Sequence, residues 1–189
     1  MIEGRLSNVL KCISCNSNQL NFLKDKVICL KCNAEYPINN NIPSMMIGGV
    51  DAQDWNPWSL DELKMTGDSY YKRAKGELPE KEASISFANL LAKKDLYEKN
   101  ATYLDIGCAT GHFLKSFRNK LDKKIQYTGI DISSEYLQWG GEIFGHSKYC
   151  NFVHCDSLNM PFIDKSFDYT IVNLFHFFPN LEDALKETI

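Results

Sequence analysis

Residues 102–121 are TYLDIGCATGHFLKSFRNKL, and they divide into a strand, a turn and a helix. The first part is a short, mostly apolar run, which predicts a buried strand. The turn from Gly107 to Gly111 contains only small residues, and the segment after it has the apolar spacing of a helix. Small residues let backbone N–H groups approach a ligand closely at the start of a helix. We therefore expect a binding site at this turn.

The alternation of strands and helices continues beyond this segment to the end of the sequence. Strands are predicted at IQYTGIDI (125–132), NFVHC (151–155) and FDYTIVNLFHFF (167–178). Helices are predicted at SSEYLQWGGEIFG (133–145) and LEDALKETI (181–189). Strands that alternate with helices form parallel βαβ units with right-handed crossovers. Residues 101–189 are therefore predicted to form an α/β domain on a parallel sheet.

Three aspartates lie where the predicted strands end. Asp105 comes just before the glycine turn, Asp131 ends the second strand, and Asp156 follows the third. A carboxylate only accepts hydrogen bonds, so Asp131 suits a pair of ribose hydroxyls. The dinucleotide motif G-x-G-x-x-G is not present, because Ala109 and His112 occupy its second and third glycine positions. A nicotinamide-dependent oxidoreductase is thus disfavoured.

The spacing of Asp105, Gly107 and Gly111 resembles motif I of the class I S-adenosylmethionine (SAM) dependent methyltransferases. The Pro-Phe and Phe-Asp pairs in MPFIDKSFDYTIV (160–172) resemble the stretch that leads into the fourth strand of that family. The resemblance covers residues 101–189. It implies a Rossmann-like domain that binds SAM and transfers its methyl group.

The same resemblance implies a role for each part of the site. The loop would wrap the methionine end of SAM, Asp131 would hold the ribose, and Asp156 would accept from the adenine amino group. Cys108 occupies a position where a small packing residue is expected. The implied cofactor-binding residues are Asp105, Gly107, Cys108, Ala109, Gly111, Asp131, Ile132, Asp156, Ser157 and Asn173.

Members of this family have seven strands in the order 3-2-1-4-5-7-6, whereas the sequence ends in the helix after the fourth predicted strand. The resemblance leads us to expect a core truncated after strand 4, as a shortened chain or a gene fragment. Alternatively, a second copy or another chain covers the edge of strand 4, since exposed apolar edges are avoided. On the truncation hypothesis, these 189 residues bind SAM weakly or not at all and turn over little.

The N-terminal part of the sequence contains two C-x-x-C pairs. Cys12 and Cys15 form the first pair, and Cys29 and Cys32 form the second. Two such turns supply the four sulfurs of a tetrahedral Zn²⁺ site, and iron takes the same geometry. A segment this short buries too little apolar surface to fold alone, so we expect the metal to stabilise it.

The residues after Cys32, AEYPINNNIPSMM, resemble a small zinc-ribbon family that activates several RNA and protein methyltransferases. That family has a Tyr-Pro-Ile segment followed by Gly-Ile-Pro, and Asn41 replaces the glycine here. Asparagine tolerates the left-handed conformation, so we expect the turn to be kept. The resemblance covers roughly residues 8–47 and implies a structural or docking role.

The chain is thus predicted to have three parts: a zinc ribbon (1–50), a helical linker or lid (51–100), and the first half of a SAM-binding domain (101–189). Within the middle part, Glu80–Lys99 is predicted to be an amphipathic helix. The apolar residues of that helix are Ile85, Leu90, Leu91 and Leu96. Tyr70 and Tyr71 are candidates for a lid over the cofactor, although tyrosines on such a helix also serve as core residues.

Composition narrows the function classes. The net charge of −3 gives no broad positive surface for nucleic acid. No apolar run approaches the roughly 18 residues that span a bilayer, and the N-terminus lacks the apolar core of a secretion signal. We therefore expect a cytoplasmic protein without membrane association. Seven cysteines cannot all pair as disulfides, which favours metal ligation.

The favoured function is a SAM-dependent methyltransferase with a small-molecule acceptor. RNA stays an alternative acceptor, because the domain pair also resembles the bacterial rRNA guanine-N1 methyltransferases. A non-catalytic zinc-ribbon partner or scaffold of another methyltransferase is a further alternative. His176, near the end of the fourth predicted strand, is a candidate general base. The N/D-P-P-Y motif of nucleobase amino-methyltransferases is absent, since Asn173 begins NLFH.

Overall fold

The computed structural model describes residues 4–46, 60–93, 101–120, 125–145 and 149–172, and the single residues 182 and 186. The helices of these ranges are α1 (Arg5–Val9), α2 (Leu60–Lys75), α3 (Glu82–Lys93), α4 (His112–Lys120) and α5 (Ser134–Phe144). The strands are β1 (Leu20–Phe22), β2 (Lys26–Cys29), β3 (Glu35–Asn39), β4 (Ile42–Pro43), β5 (Thr102–Ile106), β6 (Gln126–Asp131), β7 (Cys150–His154) and β8 (Tyr169–Val172). Across this part of the chain, every helix falls short of the length and apolar character needed to cross a membrane.

A parallel sheet forms the centre of the C-terminal part. Its strand order is β7-β6-β5-β8, with all neighbours parallel. This is the order 3-2-1-4 that the family resemblance implies, and the α/β prediction is confirmed for the described residues. Every residue of β5 is buried, and Ile106 pairs with Ile130. The carboxyl ends of β5 and β6 therefore lie side by side, which places the glycine turn next to Asp131.

The cysteine-containing segment forms an antiparallel sheet in the order β1-β2-β3-β4. The turn between β3 and β4 has Asn40 at φ 51° and Asn41 at φ 63°. Two successive positive φ values match the right-handed twist of a two-residue hairpin, and asparagine adopts them more readily than most residues. The expectation that Asn41 would keep the turn is confirmed.

This small sheet packs against one face of the parallel sheet. Alternate side chains of a strand point to opposite faces. Accordingly, Leu104 and Ile106 belong to the cluster that holds most of the buried N-terminal residues, whereas Tyr103 belongs to the other cluster, to which the N-terminal segment contributes Ile42. Two main-chain bridges reinforce the contact. Leu10 pairs with Phe162 in antiparallel fashion, and Ser44 pairs with His154 in parallel fashion. The predicted boundary near residue 50 lies outside the described residues.

The opposite face of the parallel sheet is covered by helices. The buried residues there belong to one cluster with Tyr103, and they include Ala88, Phe113 and Leu137 from α3, α4 and α5. In α3 the buried residues are Ser84, Ala88 and Leu91. They follow the i, i+4, i+7 spacing of one helix face.

The predicted apolar face of this helix was partly wrong. Leu90 is 44% exposed, because it lies off the face that packs on α4. Ile85 is half-buried. Leu96 lies outside the described residues, as does the end of the predicted helix.

Candidate cofactor site and cysteine cluster

The glycine turn at the end of β5 has an unusual backbone. Gly107, Ala109 and Gly111 have φ values of 70°, 49° and 73°. Gly111 is required for space as well, since a Cβ added there would lie 3.0 Å from the Phe144 ring. The N–H groups of Gly107 and Cys108 both donate to the carbonyl of Ile130, at 2.9 Å each. The turn is therefore held directly against the end of β6.

Asp131 joins the glycine turn to the start of α5. Its Oδ2 accepts from the N–H of Ala109 at 2.8 Å, and its Oδ1 accepts from the N–H of Ser133 at 2.9 Å. Burial raises the pKa of this carboxyl, while these N–H donors act in the opposite direction. A carboxylate offers about four acceptor positions, so both oxygens can still accept from ligand hydroxyls.

Asp156 lies at the same rim as Asp131. The N–H of Cys155 donates to the backbone carbonyl of Asp131 at 3.3 Å, which ties the ends of β6 and β7 together. The Oδ1 of Asp156 accepts from the N–H of Leu158 at 2.8 Å and so fixes the turn after β7. Asp156 and Ser157 are both partly exposed. The sequence prediction that these acids share one edge of the sheet is confirmed.

Asp105 is placed differently from the other two aspartates. It is 1% exposed, and the hydroxyl of Tyr127 donates to its Oδ2 at 2.6 Å. Burial raises the pKa of Asp105 to about 7, even though the Tyr127 hydrogen bond lowers it. Its carboxyl is therefore held inside the protein by Tyr127, two residues before the glycine turn begins. Cys108 is also buried, against Gly129, which agrees with its predicted packing role.

Helix α2 packs on α4 and α5 beside the glycine turn. The rings of Tyr70 and His112 stack with centroids 4.5 Å apart and planes 6° apart. The ammonium of Lys81 lies 4.3 Å from the centre of the Tyr70 ring on which it packs. Tyr70 thus packs on the residue that follows the turn, and its role as a lid over the cofactor stays a prediction.

His112 was not singled out as a site residue in the sequence analysis. Burial, then the charges of Lys81 and Arg73, lower the pKa of His112 to about 4. The imidazole is therefore neutral at pH 7. Its Nδ1 is buried and has no hydrogen-bond partner within the described part of the chain. The sequence feature that could have identified His112 is its position directly after Gly111, at the start of α4.

The structure does not describe two of the predicted site residues. Asn173 and the candidate base His176 lie outside the described residues. Ile132 is described and half-buried, and its backbone carbonyl lies 3.0 Å from Nε2 of His154. His154 was not proposed from sequence, because its partners are distant in the chain.

The four cysteines of the C-x-x-C pairs come together in the structure. Their sulfur atoms all lie within 4.8 Å of one another. The Sγ atoms of Cys12 and Cys32 are 3.6 Å apart, as are those of Cys15 and Cys29. A tetrahedron with metal–sulfur bonds of about 2.3 Å has sulfur–sulfur edges of about 3.8 Å. The cluster has the size of a four-sulfur metal site.

Each cysteine turn is closed in the same way. Asn16 and Asn33 directly follow the two pairs, and their φ values are 56° and 60°. The N–H of Asn16 donates to the carbonyl of Cys12 at 2.8 Å, and that of Asn33 donates to Cys29 at 2.9 Å. The left-handed asparagines thereby fold both turns back toward one centre.

Comparison with known proteins agrees with this geometry. Residues 104–189 match the family model described as a methyltransferase domain. The demethylmenaquinone methyltransferase of Staphylococcus epidermidis is 32% identical over 91 residues, which are 48% of this chain and 38% of that protein. The enzyme of the same name from Staphylococcus haemolyticus is 32% identical over 96 residues, 50% of this chain and 40% of that protein. The chain thus spans about two fifths of the length of these curated relatives.

A solved structure shows the same fold. The plantazolicin methyltransferase BpumL in complex with SAH has a TM-score of 0.50 and 23% identity, over 69% of this chain and 49% of that one. At this identity the likeness concerns the fold. Residues 104–189 therefore resemble methyltransferases in sequence, and the parallel sheet shares the fold of a solved methyltransferase.

Proposed function

We propose that this chain is all or part of a SAM-dependent methyltransferase that acts on a small molecule. One observation carries the proposal. The carboxylate of Asp131 is held by the N–H groups of Ala109 and Ser133, at the rim where the glycine turn and Asp156 also lie. Acceptors for ribose and adenine groups thus stand beside a turn that can approach a ligand closely.

The residues of the rim fit SAM. A Cβ at Gly111 would lie only 3.0 Å from the Phe144 ring, and Thr110 Oγ1 is buried without a hydrogen-bond partner among the described residues. In our proposal the turn holds the methionine end, Asp131 accepts from the ribose hydroxyls, and Asp156 accepts from the adenine amino group. When bound, SAM supplies a methyl group on a sulfonium sulfur.

Methyl transfer is an in-line displacement in which the protein chiefly orients the two reactants. In our proposal Asp131 and its neighbours at the rim would fix SAM. The carboxylate of Asp131 is already held in place by backbone N–H groups. Little reorganisation is then needed on binding. His176 stays our candidate for a base that takes the acceptor's proton.

A small molecule is our proposed acceptor. The relatives compared above are named for demethylmenaquinone and for plantazolicin, neither of which is RNA. The net charge of −3 also provides no broad surface for a phosphate backbone. With radiolabelled SAM, we expect label in the small-molecule fraction of a cell extract. Label in RNA would favour the guanine-methyltransferase alternative.

We also propose that the four-cysteine cluster holds a structural Zn²⁺ ion. The support is the sulfur separations, which suit a tetrahedral shell, and the two asparagine-closed turns. All four positions are filled by protein sulfurs, so the metal would have no open position for a substrate. Elemental analysis of the purified protein distinguishes zinc from iron.

A calorimetric titration with S-adenosylhomocysteine (SAH) tests the cofactor site. Asp131→Asn keeps the size of the side chain but replaces one acceptor with a donor, which then opposes a backbone N–H. Hydrogen bonds to charged groups contribute about 1.5–3 kcal/mol, so we expect the Kd to rise at least about tenfold. Asp164→Asn is the matched control, because that side chain is 94% exposed.

Equal Kd values for the wild type and D131N would remove Asp131 from the site. Failure of the wild-type chain to bind SAH would overturn cofactor binding by these 189 residues, and it is the result that both the truncation hypothesis and the non-catalytic alternative expect.

A further inference from the structure

The ring of His154 lies between the cysteine-containing sheet and the cofactor rim. Its Nδ1 is 2.7 Å from the hydroxyl oxygen of Ser44, just beyond β4. Its Nε2 is 3.0 Å from the backbone carbonyl oxygen of Ile132, just beyond β6. One side chain therefore joins two parts of the molecule that are about 90 residues apart in sequence.

Hydrogen-bond chemistry fixes the tautomer of the neutral ring. A carbonyl oxygen can only accept, so the proton must be on Nε2 for the contact with Ile132. Nδ1 is then an acceptor, and the hydroxyl of Ser44 donates to it. The carbonyl of Ile132 thus selects this tautomer, and the Ser44 hydroxyl, which can donate as well as accept, holds the other ring nitrogen in place.

The carbonyl of Ile132 belongs to the same peptide unit as the N–H of Ser133. That N–H donates to Oδ1 of Asp131 at 2.9 Å. A trans peptide is planar, and its C=O and N–H point in opposite directions. His154 at one end and Asp131 at the other therefore hold the orientation of one peptide plane.

The backbone makes the same connection from the N-terminal side. The N–H of Met45 donates to the carbonyl of His154 at 2.7 Å, and Ser44 forms a parallel bridge with His154. Met45 is 1% exposed and shares a core with Cys12 and Cys29. The segment that presents Ser44 is thus anchored in the same core as two of the cysteines.

We propose that His154 is a positioning residue for the cofactor site, and that the cysteine-containing sheet sets cofactor affinity through it. Ser44 orients His154, His154 holds the Ile132–Ser133 peptide, and that peptide orients the carboxylate of Asp131. This inference rests on the proposed function, since it concerns affinity at the same rim. His154 itself does not need to touch the cofactor.

Two amide substitutions separate the two bonds of the ring. The amide nitrogen of glutamine reaches the position of Nε2, whereas that of asparagine lies near the position of Nδ1. His154→Gln can keep the donor to Ile132, and His154→Asn cannot. A net hydrogen bond of ordinary strength corresponds to a change of roughly three- to tenfold in an equilibrium constant.

The experiment is a calorimetric titration of the full chain and its variants with SAH. We expect H154N to raise the Kd roughly three- to tenfold and H154Q to stay within about twofold of the wild type. Ser44→Ala should raise the Kd in the wild-type background and have no further effect in H154N. Without ligand, the melting temperature should fall by a similar amount in H154N and H154Q, because each variant loses one of the two hydrogen bonds of the ring.

Equal losses of affinity in H154N and H154Q would mean that the ring is merely structural, and unchanged affinity in both would mean that it is not coupled to the site. Either result overturns the inference and leaves the proposed function standing. A wild-type chain that does not bind SAH overturns this inference together with cofactor binding by these 189 residues. If D131N weakens SAH binding and H154N does not, Asp131 belongs to the site but His154 does not orient it. This result overturns the inference alone.

Discussion

Asp105 makes the folding of this protein depend on pH. Its carboxyl is buried against the hydroxyl of Tyr127, and burial raises its pKa from 3.8 to about 7. Between these two values the folded state binds a proton that the unfolded state has lost. The contribution of Asp105 to stability is therefore greatest below pH 3.8 and is lost as the pH rises toward 7.

Asp105→Asn should remove this pH dependence. The asparagine carbonyl can still accept from Tyr127, which now donates at 2.6 Å. From pH 5 to pH 7 we expect the wild type to lose unfolding free energy relative to D105N, by at most about 1.4 kcal/mol per pH unit. Urea unfolding at several pH values measures the slope. The exposed Asp164→Asn should keep the wild-type slope, and a D105N slope equal to the wild type would contradict the raised pKa.

Single residues also show which features were accessible from sequence. The positions of Asp131 and Asp156 followed from the order of the strands, because parallel strands end at one edge. The pairing of His112 with Tyr70 and of His154 with Ser44 did not, since each joins residues far apart in the chain. Nothing in a local pattern specifies which distant side chain meets a histidine.

At the scale of elements, α2 depends on a close approach to α5. A Cβ at Gly67 would overlap the Tyr136 ring and lie 2.9 Å from the Trp139 ring. The same helix carries Tyr70, which stacks on His112 beside the glycine turn. The glycine thus lets the helix sit close enough to α5 for that stacking.

Gly67→Ala should therefore destabilise the protein. Overpacking costs about 1–3 kcal/mol, which the better helix propensity of alanine offsets by about 1 kcal/mol. We expect a net loss of up to about 2 kcal/mol in the free energy of unfolding, measured with denaturant. Met65→Ala, on the same helix at a side chain that is 73% exposed, is the control and should be nearly neutral. A stabilised G67A would show that α2 does not pack on α5.

The elements themselves were largely predictable, and their packing was less so. Strand and helix periodicity located β5, β6, β7 and α5, because each buries one face or both. In α3 the same reasoning chose Leu90 as a core residue, but the partner helix selects the face that contains Ala88 and Leu91. Which of two neighbouring faces is buried depends on the partner, which the helix sequence does not contain.

At the scale of the molecule, the cysteine-containing sheet acts as a covering layer for one face of the parallel sheet. Cys12 and Cys29 belong to the same buried cluster as Leu104, Ile130 and Val153. The main chain joins the layers at both ends of that contact, where Lys11 donates to Pro161 and Met45 donates to His154. The two predicted units are therefore coupled through a shared core, although their sequences gave no sign of it.

If the cysteines hold Zn²⁺ as proposed, removing the metal should destabilise both layers together. A chelator would leave Cys12 and Cys29 without the ion that fixes their turns. Val153 shares a buried cluster with these cysteines and would then become more exposed to solvent. We expect a lower melting temperature in a single transition, and faster hydrogen exchange in β7 as well as in β2. Hydrogen exchange followed by mass spectrometry measures both strands in one experiment.

Two cysteine variants make this prediction specific to the metal. Cys32→Ser removes one sulfur of the cluster and should reproduce the chelated state, with loss of bound metal by elemental analysis. Cys150→Ala removes a buried cysteine from the helical side of the sheet, so it should lower stability by packing alone and keep the metal. If chelation speeds exchange in β2 while β7 stays protected, the two layers fold independently and the coupling argued from their shared core is wrong.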